Sequence, residues 1–117
     1  MFGIRKKAKD NIPANLEECF EFLNRMFGEE QVEEFKSWGE KEAMGKLHFG
    51  LGRNLRNNWG LWAESKLQQH FKDMGVWHAD DMSSIILTSY HRHLNNKPLD
   101  VEGQVEFFKD YWSKDKK

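Results

Sequence analysis

Arginine, asparagine and glycine stand close together in residues 45–62, and these residue types can bind anions. The segment holds Arg53, Arg56 and Asn57 with four glycines and two tryptophans, and it holds no acidic residue. A guanidinium binds a phosphate or carboxylate through two parallel hydrogen bonds, and glycine lets a ligand approach the backbone. If the segment is helical, the three polar side chains share one side. They therefore predict a cradle for an anionic small molecule.

The other side of this predicted helix is apolar, with a stripe formed by Leu51, Leu55, Trp59 and Trp62. We expect the stripe to pack in the core, although the rings of Trp59 and Trp62 could instead stack on a planar ligand. The arginines also have a competing interpretation, because residues 15–42 carry nine glutamates against three basic residues. Arg53 and Arg56 could pair with these glutamates, and the sequence leaves both interpretations open.

His78 is followed closely by Asp80 and Asp81, a pattern that has two interpretations. An aspartate at the start of a helix is typical of an N-cap, and either Asp80 or Asp81 fits that position. A histidine beside a carboxylate can also act in acid–base chemistry, with His78 and Asp81 as the pair. Arg53 and Arg56 would then stabilise an oxyanion. This enzymatic hypothesis requires His78, Asp81 and Arg56 to share one cleft.

His91 and Arg92 complete the set of candidate ligand-binding residues. Arg92 adds a third guanidinium to the expected anion site, and the ring of His91 could stack on a flat ligand. On a helix His91 and His93 point about 200° apart, so they cannot chelate one metal. The sequence also lacks a phosphate-binding glycine loop and a nucleophile signature. We therefore expect no metal and no cofactor, assign no catalytic residue, and rank an enzyme third, after a binding protein and a protein–protein module.

Apolar residues at helical spacing predict an all-α fold, a compact single domain of five or six short helices. Asn15 with Glu18 predicts the capped start of the first helix, and the second, acidic helix should bury Val32, Phe35 and Trp38. The first helix should stop at Gly28, and a third helix should run through Met44, Leu47 and Leu51. A further helix is expected over 62–74, with a stop at Gly75, and the next should start at Asp80 or Asp81. A turn over 95–98 should then lead to the last helix, which Asp100 caps.

Length and charge bound the remaining properties. A chain of 117 residues predicts one domain, with a basic flexible arm over 1–12, the helical domain over 13–112 and a frayed, charged tail over 113–117. The net charge of −1 makes a nucleic-acid partner unlikely on electrostatic grounds, and no run is apolar enough for a membrane span or a signal peptide. The single Cys19 falls on the apolar face of the first helix, which predicts a buried thiol and a cytoplasmic location in a bacterial or infected cell.

Two runs, LGRNLRNNWGLWAESKLQQHF (51–71) and GVWHADDMSSIILTSYHRHL (75–94), followed by the predicted helix over 97–112, resemble an uncharacterised family of small bacterial and phage domains. The resemblance covers residues 13–112 and rests on an RN-x-WGLW-x-x-S-x-L segment followed by an H-x-DDMS segment. Ala79 departs from it, because proline is expected there. The resemblance implies no established activity. The residues that match its signature are Arg56, Asn57, Trp59, Gly60, Trp62, Ser65, His78, Asp80, Asp81, Met82 and Ser83.

These observations favour a non-enzymatic binding protein. Arg53, Arg56, Asn57 and Arg92 would hold an anionic small molecule such as a nucleotide signal, while tryptophan or histidine rings stack on its flat part. Sequestration in phage counter-defence is a role that fits the bacterial and phage context of the resemblance, and a homo-oligomer would help to build the pocket. The alternative is a protein–protein inhibitor or immunity-type module that uses the acidic helix face over residues 17–42.

Overall fold

The computed structural model describes residues 12–115, with side chains described to residue 113. Its helical elements are α1 Leu16–Met26, α2 Glu29–Ser37, α3 Glu40–Leu47, a π-helical turn His48–Gly52, α4 Arg53–Asn58, α5 Lys66–Asp73, α6 Ala79–Leu94 and α7 Val101–Asp115. Because α3, the π-turn and α4 follow one another without a break, they form one rod. The described residues therefore make six helical rods and no strand, which confirms the predicted all-α fold.

The long helix α6 lies at the centre of the molecule. It packs against α1, α2, α3, the π-turn, α4, α5 and α7. Buried residues occur around most of its circumference, as expected for a helix with neighbours on several sides. They are Ala79, Asp81, Met82, Ser83, Ile85, Ile86, Leu87, Ser89, Tyr90 and His91. The side chains that could do chemistry are thus presented from the two ends of one central helix.

The first helix begins where the sequence predicts. The side chain of Asn15 accepts a hydrogen bond from the backbone N–H of Glu18 at 2.9 Å, which is an N-cap contact. The carboxylate of Glu18 accepts in turn from the N–H of Ala14 at 2.9 Å. The apolar face of α1 buries Cys19 and Leu23 completely, and burial raises the pKa of the Cys19 thiol. The predicted burial of this thiol is confirmed.

The acidic helix α2 is anchored less firmly than predicted. Only Phe35 is buried, while Val32 and Trp38 remain half-buried. The outward face carries exposed glutamates at Glu29, Glu30, Glu33 and Glu34. A helix with one buried side chain gains little from apolar burial, so α2 is held mainly at Phe35 and at its two ends.

The expected single helix over residues 51–62 is broken, which corrects two predictions. The rod of α3, the π-turn and α4 ends at Asn58, and Gly60 then adopts a φ of +72°. That left-handed conformation reverses the chain and turns Trp62 outwards, where 61% of its surface is exposed. The next helix then starts at Lys66 rather than at Trp62, because the hydroxyl of Ser65 caps it by accepting from the N–H of Gln68.

The ends of α6 and α7 differ from the prediction in detail. His78, not Asp80 or Asp81, occupies the N-cap position of α6, and its side chain makes no capping bond. Asp100 caps α7 as predicted, because its Oδ1 accepts from the N–H of Gly103 at 3.1 Å. Helix α7 runs to Asp115, so residues 113–115 of the predicted tail are helical, while residues 116–117 and the predicted arm up to residue 11 lie outside the described residues.

Within residues 12–115, no helix combines the length and the apolar character that a membrane span requires.

Candidate functional site

Arg56 points into the protein and connects three elements. Its Nη1 donates to the hydroxyl of Ser83 at 2.9 Å and its Nη2 donates to the carbonyl of His48 at 3.3 Å. Its Nε lies 3.2 Å from Oδ1 of Asp80, and only 6% of the side chain is exposed. The guanidinium packs so closely on Gly52 that a Cβ there would lie 3.0 Å from Nη1. Arg56 therefore fastens the π-turn and α4 to the first turn of α6.

The predicted anion cradle is not assembled, because the structure separates its members. Arg56 pairs with Asp80 of α6 rather than with the acidic helix α2, and Arg53 faces solvent. Asn57 is also at the surface, where its Oδ1 accepts from the indole N–H of Trp62 at 2.9 Å. Trp59 is buried, with its ring edge-on to Phe22 at 6.0 Å.

Arg92, in the last turn of α6, forms an ion pair with Glu40. Its Nε and Nη2 donate to the two carboxylate oxygens of Glu40 at 2.8 and 3.0 Å, and its Nη1 donates to the carbonyl of Leu99 at 2.7 Å. The hydrogen bonds to Arg92 lower the pKa of Glu40, and the same contact raises the pKa of Arg92. Ser83 and Arg92 are about 14 Å apart along the axis, given the rise of about 1.5 Å per residue. Arg92 and Arg56 therefore do not share a site.

His91 is buried beside this ion pair and is 3% exposed. Its Nε2 lies 2.8 Å from the carbonyl of Trp38, so Nε2 carries a proton and donates. The other ring nitrogen, Nδ1, has no hydrogen-bond partner among the described residues. The ring meets Phe35 edge-on at 5.1 Å. These contacts place His91 in the core rather than at a ligand-accessible surface.

His78 and Asp81 do meet, through a residue of the last helix. The imidazole of His78 stacks on the indole of Trp112, with 3.8 Å between ring centroids and 18° between planes. The indole N–H of Trp112 donates to Oδ2 of Asp81 at 2.8 Å. Burial raises the pKa of Asp81 and outweighs the opposing effects of Trp112 and His78. Trp112 thus joins the end of α7 to the start of α6.

These residues line an open cleft of about 600 Å³, which we call the Trp112 cleft. It lies between the α5–α6 turn, the first turn of α6 and α7. The residues that line it are Gly75, Val76, Trp77, His78, Asp81, Phe108, Lys109, Trp112 and Ser113. Its volume falls within the range of about 300–1,000 Å³ that is typical of small-molecule sites.

Positive charge and exposed aromatic surface coincide at the Trp112 cleft. Trp77 is 64% exposed, and the ammonium of Lys72 lies 5.5 Å from its ring centroid. The side chain of Lys109 packs against Gly75, and its Nζ lies 3.9 Å from Oε2 of the exposed Glu106. A flat ring can stack on an indole face, and an ammonium attracts an anionic group on the same molecule. The cleft therefore combines an exposed indole face with an ammonium group.

The acid–base hypothesis is only half supported by this arrangement. His78 and Asp81 share the Trp112 cleft, but Arg56 does not line it and instead contacts Asp80. No described residue therefore supplies the guanidinium that the hypothesis assigns to an oxyanion. No three histidine, cysteine, aspartate or glutamate side chains in residues 12–113 are grouped so that they could hold a metal ion.

Sequence reasoning missed the wall of the cleft that α7 provides. Trp77, Lys109, Trp112 and Ser113 are not among the candidate residues named from the sequence. One signal was available: a half-buried tryptophan needs an acceptor for its indole N–H, and Asp81 is an acceptor at a helix start. The pairing of the two could not be read from spacing, since 31 residues separate them in the chain.

A family model described as "Domain of unknown function (DUF6794)" matches residues 12–94, more than half of the chain. No curated protein and no solved structure matches. The matched range includes α1 to α6 and hence the Arg56 contacts, and it ends before α7 begins. The expected resemblance to an uncharacterised family is confirmed, while α7 and its side of the Trp112 cleft lie beyond the matched range.

Proposed function

The chain belongs to this family of unknown function, and from that premise we propose that it is a non-enzymatic binding protein. Its ligand is a small anionic molecule with a flat ring, such as a nucleotide, held in the Trp112 cleft. Sequestration of a signalling nucleotide, as in phage counter-defence, would require binding alone. The proposal keeps His78 and Asp81 from the sequence-based site and replaces the arginines by lysines.

The observation that carries the proposal is the stack of His78 on Trp112, 3.8 Å apart, in a cleft that Lys109 also lines. The stack and the bond from Trp112 to Asp81 hold the rings in place before a ligand arrives, which lowers the entropy cost of binding. Trp77 leaves most of its ring free to stack on a base. Arg56 and Arg92 contribute nothing to this site, because their guanidiniums are bound by Asp80 and Glu40.

Isothermal titration calorimetry tests the proposal with whole nucleotides and with their parts. The panel is AMP, GMP, cyclic AMP, adenosine and ribose 5-phosphate. We expect at least one nucleotide to bind more tightly than adenosine or ribose 5-phosphate, because only the nucleotide satisfies both the rings and the lysine. Folded protein that gives no heat with any of these compounds would show that the proposal is wrong.

Two substitutions locate the site. Lys109→Ala should weaken nucleotide binding about fivefold to tenfold through the loss of one charge contact, and Trp77→Ala should cost about 1–3 kcal/mol of stacking. The matched control is Lys41→Ala, because Lys41 is an exposed lysine on α3 away from the cleft. Equal affinities for Lys109→Ala and Lys41→Ala would place the ligand elsewhere.

A second candidate function uses the acidic face of α2 to bind a basic protein surface. Glu29, Glu30, Glu33 and Glu34 are exposed, and none of them forms an ion pair with a described residue. This hypothesis predicts that a pull-down recovers one stoichiometric partner and that the double substitution Glu33→Lys, Glu34→Lys abolishes the complex. A complex that survives the reversal would leave the face as a solvated surface.

A further inference from the structure

A separate cavity of about 180 Å³ lies beneath the acidic helix α2. Val32 and Phe35 of α2 form one wall, and Leu47, Leu51 and Leu87 from the α3–π-turn rod and from α6 form the other. We call this space the α2 cavity. It shares no lining residue with the Trp112 cleft.

The α2 cavity offers almost no polar partner to a ligand. Three of its lining side chains carry a polar atom: Gln31, Tyr90 and Trp38, whose indole N–H is a donor. The hydroxyl of Tyr90 already donates to Oδ1 of Asn24 at 2.6 Å, and burial raises its pKa, so it stays neutral. The Oε1 of Gln31 accepts from the N–H of Gly28 at 3.0 Å. No charged residue lines the space, so a charged ligand would lose its hydration without compensation.

The size of the α2 cavity limits its occupant. The α2 cavity is partly open to solvent, so a ligand can enter it, and an enclosed apolar cavity of about 150 Å³ is known to take up benzene. At about 180 Å³ the α2 cavity has room for one aromatic ring with a small substituent, or for a short alkyl chain. A nucleotide is too large and too polar, which separates this space from the function proposed above.

We propose that the α2 cavity is a binding site for an uncharged, apolar molecule of about one aromatic ring. This inference goes beyond the proposed function and does not depend on it. The ring of Phe35 stacks on Tyr90, with 5.8 Å between centroids, and Phe35 is the one buried side chain of α2. A bound ring adds apolar contacts to Val32 and Phe35, so it fastens the helix that presents Glu29, Glu30, Glu33 and Glu34.

Methyl-detected NMR of the full chain tests this site, with toluene as the probe. The ring current of a bound aromatic shifts nearby methyl signals, so we expect saturable shifts at Leu47, Leu51 and Leu87 and none at Leu61, a buried leucine that does not line the cavity. Benzoate has the same ring with a carboxylate, and it should bind at least about tenfold more weakly. Absence of shifts with toluene up to its solubility would overturn the proposal, as would equal binding of benzoate.

A cavity-filling variant assigns the shifts to this space. Val32→Phe puts a ring into the α2 cavity and should abolish toluene binding, while Val101→Phe makes the same change at a half-buried position on α7 and should leave it intact. Leu51→Phe fills the cavity from the opposite wall and serves if Val32→Phe does not fold, as judged by circular dichroism. Toluene binding that persists in a folded filled variant would contradict the proposal.

Discussion

At the scale of single residues, Arg56 is the side chain whose removal should matter most for stability. Arg56→Ala would leave the carbonyl of His48 without its donor and would remove the contacts with Ser83 and Asp80. Loss of a buried charged donor costs about 1.5–3 kcal/mol, and we expect a decrease of this size in the free energy of unfolding. Arg56→Lys should restore only part of it, since an ammonium cannot reach three partners in fixed geometry.

Urea unfolding of these variants measures the effect, and a neighbouring arginine supplies the control. Arg53 is exposed one turn before Arg56, so Arg53→Ala should change the free energy of unfolding by less than about 0.5 kcal/mol. If the two alanine variants proved equally stable, the contacts of Arg56 would contribute nothing to the free energy of unfolding.

Asp81 makes the stability of the protein depend on pH. Burial raises the pKa of its carboxyl in the folded state, so the folded chain holds this proton more tightly than the unfolded chain. The free energy of unfolding therefore rises as the pH falls through the folded pKa, and the penalty for ionised Asp81 is fully present above it. Asp81→Asn removes this penalty. Its stability relative to the native protein should be greater at about pH 7 than at about pH 3.

Urea unfolding of both proteins at the two pH values tests this sign. The test compares the stability of Asp81→Asn relative to the native protein at the two pH values. Any effect of the introduced amide on the hydrogen bond from Trp112 that does not depend on pH therefore cancels. Trp112→Phe serves as a second variant, because it removes the indole N–H whose hydrogen bond lowers the pKa of Asp81 against the effect of burial. A relative stability of Asp81→Asn that is independent of pH would contradict the assignment.

At the scale of elements, two glycines should respond in opposite ways to the same substitution. Gly60 has a φ of +72°, and a Cβ there would lie 3.0 Å from Cβ of Ser65, so Gly60→Ala should destabilise the protein by about 1–2 kcal/mol. Gly45 lies within α3 with no atom near its missing Cβ, so Gly45→Ala should stabilise by about 0.5–1 kcal/mol. Thermal unfolding of both variants measures the signs, and a shared sign would contradict this account of the turn.

The elements themselves could largely be predicted from the sequence, because their signals are local. The cap at Asn15, the stop at Gly75 and the cap at Asp100 each depend on residues within a few positions, and all three are confirmed. The break after α4 was missed because the apolar spacing continues through Trp62 across it. The sequence signal for this break is a glycine, which readily adopts positive φ, followed by a serine that can cap a helix, here Gly60 and Ser65.

The site was less predictable, because its contacts join distant parts of the chain. Helical spacing placed Arg56 opposite the apolar stripe, yet a buried arginine is stabilised by Ser83 and Asp80, which only the packed α6 brings near. Arg92 likewise meets Glu40 across 52 positions. Local patterns identify polar residues of interest, while packing between elements decides whether a charge is used inside the fold or offered to a ligand.

At the scale of the whole molecule, α7 should be needed for one pocket and not for the other. A chain that ends after Asn96 loses Lys109 and Trp112 but keeps every residue that lines the α2 cavity. We expect this shortened chain to lose nucleotide binding and to retain toluene binding. Its free energy of unfolding should be at least about 2 kcal/mol lower, because the packing of Val105 and Trp112 is lost. Calorimetry, NMR and urea unfolding of the shortened chain measure these three results.

The outward face of α7 also bears on assembly. Phe107 and Tyr111 lie one turn apart and are 65% and 55% exposed. Aromatic side chains are enriched in interfaces, so this face is a candidate contact surface for the homo-oligomer predicted from the sequence. Light scattering of the native protein and of Phe107→Ser, Tyr111→Ser would determine whether this face joins two copies.

Cys19 provides a way to time the opening of the molecule. It is the one cysteine of the chain, its side chain has no exposed surface, and burial keeps its thiol protonated. An alkylating reagent can therefore reach the sulfur only after α1 separates from α6. The rate at which Cys19 is labelled therefore reports how often α1 separates from α6. A ligand in either pocket slows labelling only if the separated form of the protein cannot bind that ligand.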